Sequence, residues 1–329
     1  MLDTESKKFS PGTFFLQWEW LLIFIFIVFN LVMIFTTRYY LDTRNIFDMT
    51  FIFTEKGLVA IVMIFIIITG NIDISVASIM GLSSVSMAII YQAGVNIWTA
   101  FLFGIFVGTF CGFLNGLIIT RVKLPAMITT LATYSLFRGI AYVILGDQAV
   151  SGFTEKFAYL GRGYLGNSPV PFPLLVFVVL TIILGLILHK TTFGRMVYAI
   201  GWNENACFAS GIPVKKIKLL LFSLSGFMSG LAGMFVTARI GNTRPNIATG
   251  FELEIITIVI LGGVMITGGV GNMWGVFLSI ILVGTIRYGL GLHNIPSQIM
   301  VVVTGSLLIG SILLNNIMNR FLAFRVLRK

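Results

Sequence analysis

Charged residues are scarce in this chain. They make up 10% of its 329 residues, whereas a soluble domain typically has about a quarter. Hydrophobic residues make up 57%, and long apolar runs recur along the whole chain. The composition therefore excludes an ordinary soluble domain and predicts an all-α, polytopic integral membrane protein.

Histidine and cysteine are also rare, with two of each. His189 and His293 are predicted to lie at opposite membrane faces, which argues against a shared metal or acid–base site. Cys111 lies in a predicted span and Cys207 in a basic loop, and their spacing fits neither a metal site nor a disulfide. We therefore expect neither a metal nor a cofactor.

Sequence motifs for nucleotide hydrolysis and serine catalysis are missing. No lysine follows a glycine, so the GK pair of a phosphate-binding loop is absent, and no G-x-S-x-G segment occurs. No paired catalytic groups suggest an intramembrane enzyme either. We predict that the chain is not an enzyme, and that any transport it performs takes its energy from another protein or from a gradient.

Acidic residues are outnumbered, with 12 Asp and Glu against 22 Lys and Arg. In a soluble chain this excess would suggest nucleic-acid binding, but cytoplasmic loops of membrane proteins carry the same bias. With a cytoplasmic amino terminus and ten spans, thirteen of the 22 basic residues face the cytoplasm. Charge therefore predicts a multi-pass protein in a lipid bilayer, with both termini cytoplasmic and no nucleic-acid partner.

Ten apolar segments approach the length needed to cross a bilayer, which is about 20 residues at a rise of 1.5 Å each. They predict one transmembrane domain over residues 1–329. The ten predicted spans are Trp18–Phe35, Phe51–Thr69, Ile74–Tyr91, Ile97–Ile119, Ala126–Leu145, Val170–Leu188, Leu219–Thr237, Phe251–Thr267, Met273–Ile286 and Ile299–Leu314.

Two of these spans end in polar or glycine-rich segments. The apolar run Leu58–Thr69 reaches full length only if Glu55 and Lys56 snorkel at the interface, so residues 70–73 are expected at membrane depth. Residues 255–266 likewise run into a glycine-rich segment. Broken helices at depth are tolerated where they are buried in protein or line a wet cavity, and they often mark a substrate path. The candidate path residues are Asn71, Asp73, Arg138, Gly262, Gly263, Gly268 and Gly269.

Two of these candidates have more than one interpretation. A carboxylate at membrane depth needs a partner or a proton, which makes Asp73 a functional candidate. Asp73 is equally suited to capping a helix that begins at Ile74. Arg138 would pair with a carboxylate, line the path or snorkel.

A stripe of glycines at a spacing of four residues lies on one face of the fourth span. Such stripes let helix backbones approach closely, so they indicate packing rather than a site. The polar segment 146–168 is predicted to be an external loop. The stripe consists of Gly104, Gly108, Gly112 and Gly116.

Thr191–Lys218 is the longest polar interruption of the second half. Asn203 is suited to cap a short helix over Glu204–Ser210, Gly211 to end it in a left-handed conformation, and Pro213 to prevent its continuation. Between spans six and seven, residues 191–218 are predicted to form a cytoplasmic loop whose helix is gripped by another protein. The candidate coupling residues are Gly194, Arg195, Asn203, Glu204, Ala206 and Gly211.

Five stretches of the chain resemble the permeases of bacterial ATP-binding-cassette (ABC) sugar importers, in the branch that serves ribose, galactose, xylose, rhamnose and autoinducer-2. The resemblance runs in register from about Trp18 to Asn316, and rhamnose-type permeases are the most similar, with autoinducer-2 permeases close. The stretches are GNIDISVASIMGLSS, TTLATYSLFRGIAYVILGDQA, FGRMVYAIGWNENACFASGIPVKKIK, TARIGNTRPNIATGFELEIITIVILGGVMITGGVGN and GLGLHNIPSQ.

The resemblance implies a ten-helix subunit of the bacterial inner membrane beside a second permease, identical or homologous. It further implies two cytoplasmic ATPase subunits and an extracytoplasmic binding protein that delivers a sugar, here a rhamnose-like monosaccharide. Asn203–Gly211 resembles the family's coupling helix, which sits in a cleft of the ATPase. The chain departs from the family pattern at Asn71, where glycine is usual, and at Asn272, where serine is common, so these departures bear on the substrate.

Two alternatives stay open at this point. One is an autoinducer-2 import permease of the same family. The other is an ion-coupled secondary transporter that uses Asp73 as a proton or cation site. The second alternative predicts gradient-driven uptake by the isolated subunit, without an ATPase.

Overall fold

The computed structural model describes residues 18–38 and 40–296, and scattered positions from 298 to 313 (298–300, 302–303, 305–307, 309–310 and 313). The described chain is mostly helical, with one two-stranded sheet. A π-helical turn, Ile118–Val122, follows α5. The elements are α1 Trp18–Thr36, α2 Thr43–Asp48, α3 Thr50–Ile68, α4 Val76–Gln92, α5 Ile97–Leu117, α6 Ala126–Leu145, β1 Val150–Ser151, α7 Glu155–Arg162, α8 Phe172–Lys190, α9 Thr192–Trp202, α10 Glu204–Ala209, α11 Val214–Ile240, β2 Asn242–Thr243, α12 Phe251–Leu261 and α13 Met273–Leu292.

Seven helices within the described residues are long and apolar enough to cross a membrane. Two further predicted spans are short helices, because α4 has 17 residues and α12 has 11. The tenth predicted span, Ile299–Leu314, is described only in part: ten of its positions are helical, and the other six lie outside the described residues. The predicted all-α polytopic architecture with short helices is confirmed, with about ten helices as an approximate number.

The central helix of the bundle is α3. From Leu58 onwards it is apolar on every side, and almost all of its residues are buried, which is the pattern of a helix surrounded by other helices. Helices α8, α11, α12 and α13 pack around it, while α1 lies outside them against α13. The largest hydrophobic core of the molecule therefore surrounds α3.

The predicted glycine stripe lies where α5 crosses α11. A Cβ atom at Gly112 would overlap the carbonyl oxygen of Phe222, and one at Gly108 would lie 2.7 Å from the carbonyl oxygen of Gly226. Helix α4 packs against both helices. The packing role predicted for the stripe is confirmed, because side chains larger than hydrogen would push these backbones apart.

The two ends of the bundle differ in structure. We call the end that carries α9 and α10 the lower end, and the end that carries β1, β2 and α7 the upper end. At the upper end, Val150 of β1 pairs with Thr243 of β2, so the segment predicted as an external loop contains regular structure. His189 accepts a hydrogen bond from the Met273 amide at the lower end, whereas His293 contacts threonine hydroxyls at the upper end. The histidines are therefore separated, as predicted.

A buried ion-pair network ties four helices together near the upper end. Glu55 and Lys56 of α3 are 2% and 3% exposed. Glu55 accepts two hydrogen bonds from the guanidinium of Arg239, at 2.7 and 3.0 Å. Lys56 Nζ and Arg287 Nη2 lie 2.8 and 2.7 Å from the two carboxylate oxygens of Glu254. Glu55 and Lys56 therefore do not meet the snorkelling condition set for a full-length span, because side chains of opposite charge on neighbouring helices pair with both residues inside the protein.

Helix boundaries also differ from prediction at the two breaks. Helix α4 begins at Val76 and not at Ile74. Helix α12 ends at Leu261, so the apolar residues up to Ile266 belong to the connection and not to the helix. The non-helical segment at each break is therefore longer than the polar or glycine-rich residues from which the sequence predicts it.

Glu254→Gln should lower the thermal stability of the protein, because it leaves the charges of Lys56 and Arg287 without a carboxylate. Removing one partner of a buried ion pair costs about 3–5 kcal/mol. The measurement is the midpoint of thermal unfolding in detergent. Glu155→Gln, at the exposed start of α7, is the control and should leave the midpoint near that of the unmodified protein. Equal midpoints for the two variants would contradict a stabilising network.

Candidate functional site

The two predicted helix breaks meet at the lower end. The Gly269 amide donates a hydrogen bond to the carbonyl of Ile68, the last residue of α3, at 2.8 Å. Gly268 lies against the backbone of Gly70, and Gly268 and Gly269 have φ angles of +87° and +77°. Glycine adopts such left-handed conformations without the steric clash of a Cβ atom. The contact gives a carbonyl of the last turn of α3 a hydrogen-bond donor from the second break.

A cavity of about 810 Å³ adjoins the first break. Three segments form most of its walls: the Gly70–Ile72 turn, the π-helical turn with its connection to α6, and α10 with the start of α11. Ile266 of the second break completes the lining. Its volume and its mixture of apolar and polar groups are typical of small-molecule sites, which span roughly 300–1,000 Å³. The polar and charged side chains among the lining residues belong to Asn71, Thr120, Lys123, Glu204, Asn205, Lys215 and Lys218.

The candidate path residues of the breaks do not all face this cavity. Asn71 lines it, and its side-chain amide donates to the Thr69 carbonyl at 2.9 Å. Gly268 and Gly269 lie behind it, in the contact with the end of α3. The adjacent glycines Gly262 and Gly263, which follow α12, shape the second break: a Cβ atom at Gly262 would lie 2.6 Å from a backbone atom of α13, and Gly263 has a φ of +86°.

Asp73 is fully buried and lies outside the cavity lining. One carboxylate oxygen accepts the amide and hydroxyl of Ser75, at 3.0 and 2.6 Å, and the other accepts the hydroxyl of Ser225 at 2.8 Å. Asn115 of α5 in turn donates to the Ser75 hydroxyl oxygen at 2.8 Å. Asp73 therefore binds an amide at the start of α4, much as the capping interpretation expects, and it connects the first break to α5 and α11.

Arg138 lies near the upper end, far along α6 from the cavity. Its guanidinium donates to three backbone carbonyls, those of Ala77 and Ile247 at 2.9 Å each and that of Pro245. These bonds fasten the connection between β2 and α12 to helix α4. The structure thus brings Arg138 together with none of the other candidate path residues.

Helix α10 has the caps that the sequence predicts. The side-chain oxygen of Asn203 accepts the Ala206 amide at 2.9 Å, and Gly211 has a φ of +81°. The helix ends at Ala209, one residue earlier than predicted. The Glu204 carboxylate, half exposed, also binds Lys218 Nζ of α11 at 2.6 Å. Caps at both ends hold this short helix in a defined position beside the cavity.

The other two candidate coupling residues lie in α9, which the sequence interpretation treated as part of a polar loop. Gly194 is buried against the carbonyl of Leu188, and Arg195 is exposed. The sequence does contain a helical pattern for α9, because its buried residues Gly194, Val197 and Ile200 recur every three positions. Basic residues on both sides of this segment had masked the pattern.

Helices α9 and α10 also carry two exposed aromatic residues that the sequence does not single out as candidates. Trp202, the last residue of α9, is 75% exposed, and Phe208 of α10 is 63% exposed. Large apolar side chains on a polar surface mark sites of interaction with other proteins or with membranes. The exposed side of α9 and α10 is therefore a candidate contact surface.

Ser225→Ala should destabilise the protein, because the buried Asp73 carboxylate loses one of its three donors. Leaving a buried acceptor short of a partner costs about 1–3 kcal/mol. The measurement is the thermal unfolding midpoint in detergent. Ser223→Ala is the matched control on the same helix, since its hydroxyl binds a carbonyl of its own helix. A midpoint for Ser225→Ala no lower than that of Ser223→Ala would contradict the role of this bond.

Comparison with known proteins assigns the chain to a family. Residues 45–312 match the family described as the permease component of branched-chain amino acid transport systems. The chain is 36% identical to the ribose import permease protein RbsC of Bacillus subtilis, over 84% of this chain and 86% of that protein. It is 34% identical to the L-arabinose transport system permease protein AraH of Escherichia coli strain K12, over 94% and 93% of the two chains. It is 31% identical to the autoinducer 2 import system permease protein LsrD of E. coli O9:H4, over 82% and 83%.

No solved structure matches the chain. The family match covers most of the chain, and the relatives are transport permeases, which confirms the prediction that the protein is not an enzyme. Its long apolar helices fit an integral membrane protein of this kind. The chain therefore belongs to the family of membrane permease components described for branched-chain amino acid transport systems.

Proposed function

We propose that this chain is the membrane-spanning permease subunit of an ABC importer, which moves a small sugar into the cytoplasm and is driven by a separate ATPase subunit. The observation that carries the proposal is the arrangement of the lower end. There an exposed, capped helix forms a wall of the same cavity that the first helix break lines. Helix α10 would thus meet a cytoplasmic partner on one side and the solute path on the other.

Helix α10 is suited to act as the coupling helix. Its two caps and the Glu204–Lys218 ion pair hold it as a unit, while Ala206 and Phe208 are exposed for contact with a partner. ATP binding outside the membrane biases the inward- and outward-facing states only through contacts that differ between them. The proposed coupling residues are Gly194, Arg195, Asn203, Glu204, Ala206 and Gly211.

Charge supports the orientation. The segments at the lower end carry Arg195 and three lysines between 215 and 218, which favours the cytoplasmic side. In this orientation both termini are cytoplasmic, the upper end faces outwards from a bacterial inner membrane, and a sugar-binding protein docks there. We expect two ATPase subunits and a second permease, identical or homologous, to complete the importer.

The proposed solute path passes the lower cavity. Asn71 supplies a neutral polar side chain there, and Gly268 and Gly269 hold the second break against the first. The same lining carries three lysines and Glu204, so the proposal of an uncharged, hydroxyl-rich solute depends on the sugar-permease relatives and not on the charge of this cavity. Gly262 and Gly263 would contribute by shaping the second break, and Asp73 and Arg138 by holding the surrounding segments.

A rhamnose-like monosaccharide stays our prediction for the substrate. The relatives named for ribose and arabinose import, at 36% and 34% identity, support the sugar class. An autoinducer-2 permease is the alternative within the family, and the relative of that name is 31% identical. The test is thermal stabilisation of the cognate binding protein by rhamnose, ribose, arabinose, branched-chain amino acids and autoinducer-2. Stabilisation by an amino acid alone would overturn the sugar proposal.

An ion-coupled secondary transporter is the alternative mechanism. It requires Asp73 to exchange a proton or cation with water, yet this carboxylate is fully buried and accepts three hydrogen bonds. The decisive experiment is uptake into proteoliposomes that contain the complete importer and its binding protein. We expect accumulation that depends on ATP, and none from an ion gradient alone. Gradient-driven uptake by the isolated subunit would overturn the ABC mechanism.

Ala206→Glu should separate the permease from its ATPase without unfolding it, because residue 206 is exposed on α10. An unpaired charge buried in an interface weakens association by about 2–5 kcal/mol. The measurements are copurification of the ATPase and sugar uptake, both of which should fall at least about ten-fold. Ala149→Glu, an exposed alanine at the upper end, is the control and should retain the ATPase. Normal copurification and uptake by Ala206→Glu would exclude α10 as the coupling helix.

A further inference from the structure

Helix α9 joins the proposed coupling helix directly to the contact between the two breaks. A single residue, Asn203, separates the end of α9 at Trp202 from the start of α10. On its inner side, α9 packs apolar side chains against the main core, and the Tyr198 hydroxyl donates to the Gly271 carbonyl at 2.7 Å. One end of α9 thus continues into α10, while its side is bonded to the second break.

Gly201 lies against the bond that holds the breaks together. A Cβ atom at Gly201 would overlap both the carbonyl oxygen of Ile68 and the amide nitrogen of Gly269. These are the two atoms that form the 2.8 Å hydrogen bond between the breaks. The side chain of the next residue, Trp202, packs against Gly269, since a Cβ atom at Gly269 would lie 3.0–3.2 Å from the ring atoms of Trp202. The α9 backbone therefore touches both breaks at once.

Cys207 also packs α10 into the main core, but the other routes from α10 to the breaks are less direct than α9. Between α10 and the Gly70–Ile72 turn lies the cavity, so open space separates them on that side. Towards α11 the Glu204–Lys218 pair is half exposed at its carboxylate, and ion pairs in contact with solvent transmit little energy. Close-packed contacts, in contrast, are rigid and pass on small displacements.

We infer that Tyr198 and Gly201 are positioning residues through which movement of α10 is transmitted to both helix breaks together. The inference rests on the proposed function, because the movement originates in the ATPase. A displaced α10 carries α9 with it, and α9 then shifts the Gly271 carbonyl and the Ile68–Gly269 bond. Both breaks would therefore change in one step at the edge of the solute path.

Tyr198→Phe and Gly201→Ala test this role in the complete importer. The first variant removes one hydroxyl and keeps the ring, while the second inserts a methyl group between α9 and the bond. We expect both to keep the ATPase bound and ATP hydrolysis active, while sugar transported per ATP hydrolysed falls about ten-fold. Gly139→Ala is the control, because its Cβ atom would meet nothing within 4 Å, and it should couple normally.

Hydrogen exchange of residues 262–272 provides a measurement that a purely structural role would not change. In the unmodified importer, binding of a non-hydrolysable ATP analogue should alter exchange of the Gly269 amide. In Tyr198→Phe this nucleotide-dependent change should be largely lost, while exchange in α3 stays as in the unmodified protein. If Gly201→Ala does not fold, the Tyr198→Phe comparison still decides the question.

Two results overturn the inference: sugar transported per ATP that stays normal in Tyr198→Phe, or a nucleotide-dependent exchange change that persists in it. These outcomes are separate from failure of the proposed function. An unmodified complex without ATP-driven uptake would overturn the proposed function, whereas normal coupling in both the unmodified complex and the variants overturns the inference alone.

Discussion

A buried polar group needs a hydrogen-bond partner, and the last carbonyls of a helix have none within the helix itself. The lower end of this protein is built around that constraint. Helix α3 ends at Ile68, and its terminal carbonyl accepts the amide of Gly269 from the other half of the sequence. Each break thus supplies part of what the other lacks. Because the two must stay together, the segments that adjoin them, α9 and the turn at Gly70, are brought to the same place.

The same constraint explains the charges of the upper end. Glu55 and Lys56 lie in the most buried helix of the bundle, and each has a partner of opposite charge on a surrounding helix. The guanidinium of Arg138 donates to two carbonyls of the connection between β2 and α12 and to the carbonyl of Ala77 in α4. The ion pairs fasten α3 to its neighbours at one end, whereas the other end contains the cavity and the breaks.

This difference between the two ends suits a permease whose movement is driven by a partner protein. The proposed coupling helix and the first break share one cavity, so the point where energy would enter lies next to the path that it would open. Tight packing of α4, α5 and α11 through glycines offers a firm support on the other side. In such a molecule a short displacement of α10 would move the two breaks, because the other helices are held in place by close packing or by ion pairs.

Composition and local chemistry in the sequence determined the all-α membrane class, the packing role of the glycine stripe and the caps of α10. These features depend on residues within one segment: long apolar runs, glycines at a spacing of four, and Asn203 followed eight residues later by Gly211. The tertiary structure alone decided that Glu55 and Lys56 are paired and not snorkelling, that Arg138 binds backbone carbonyls, and that the two breaks share a hydrogen bond. Each of these contacts joins residues more than 50 positions apart, and the partner of a polar group is set by which helices pack together, which no single segment encodes.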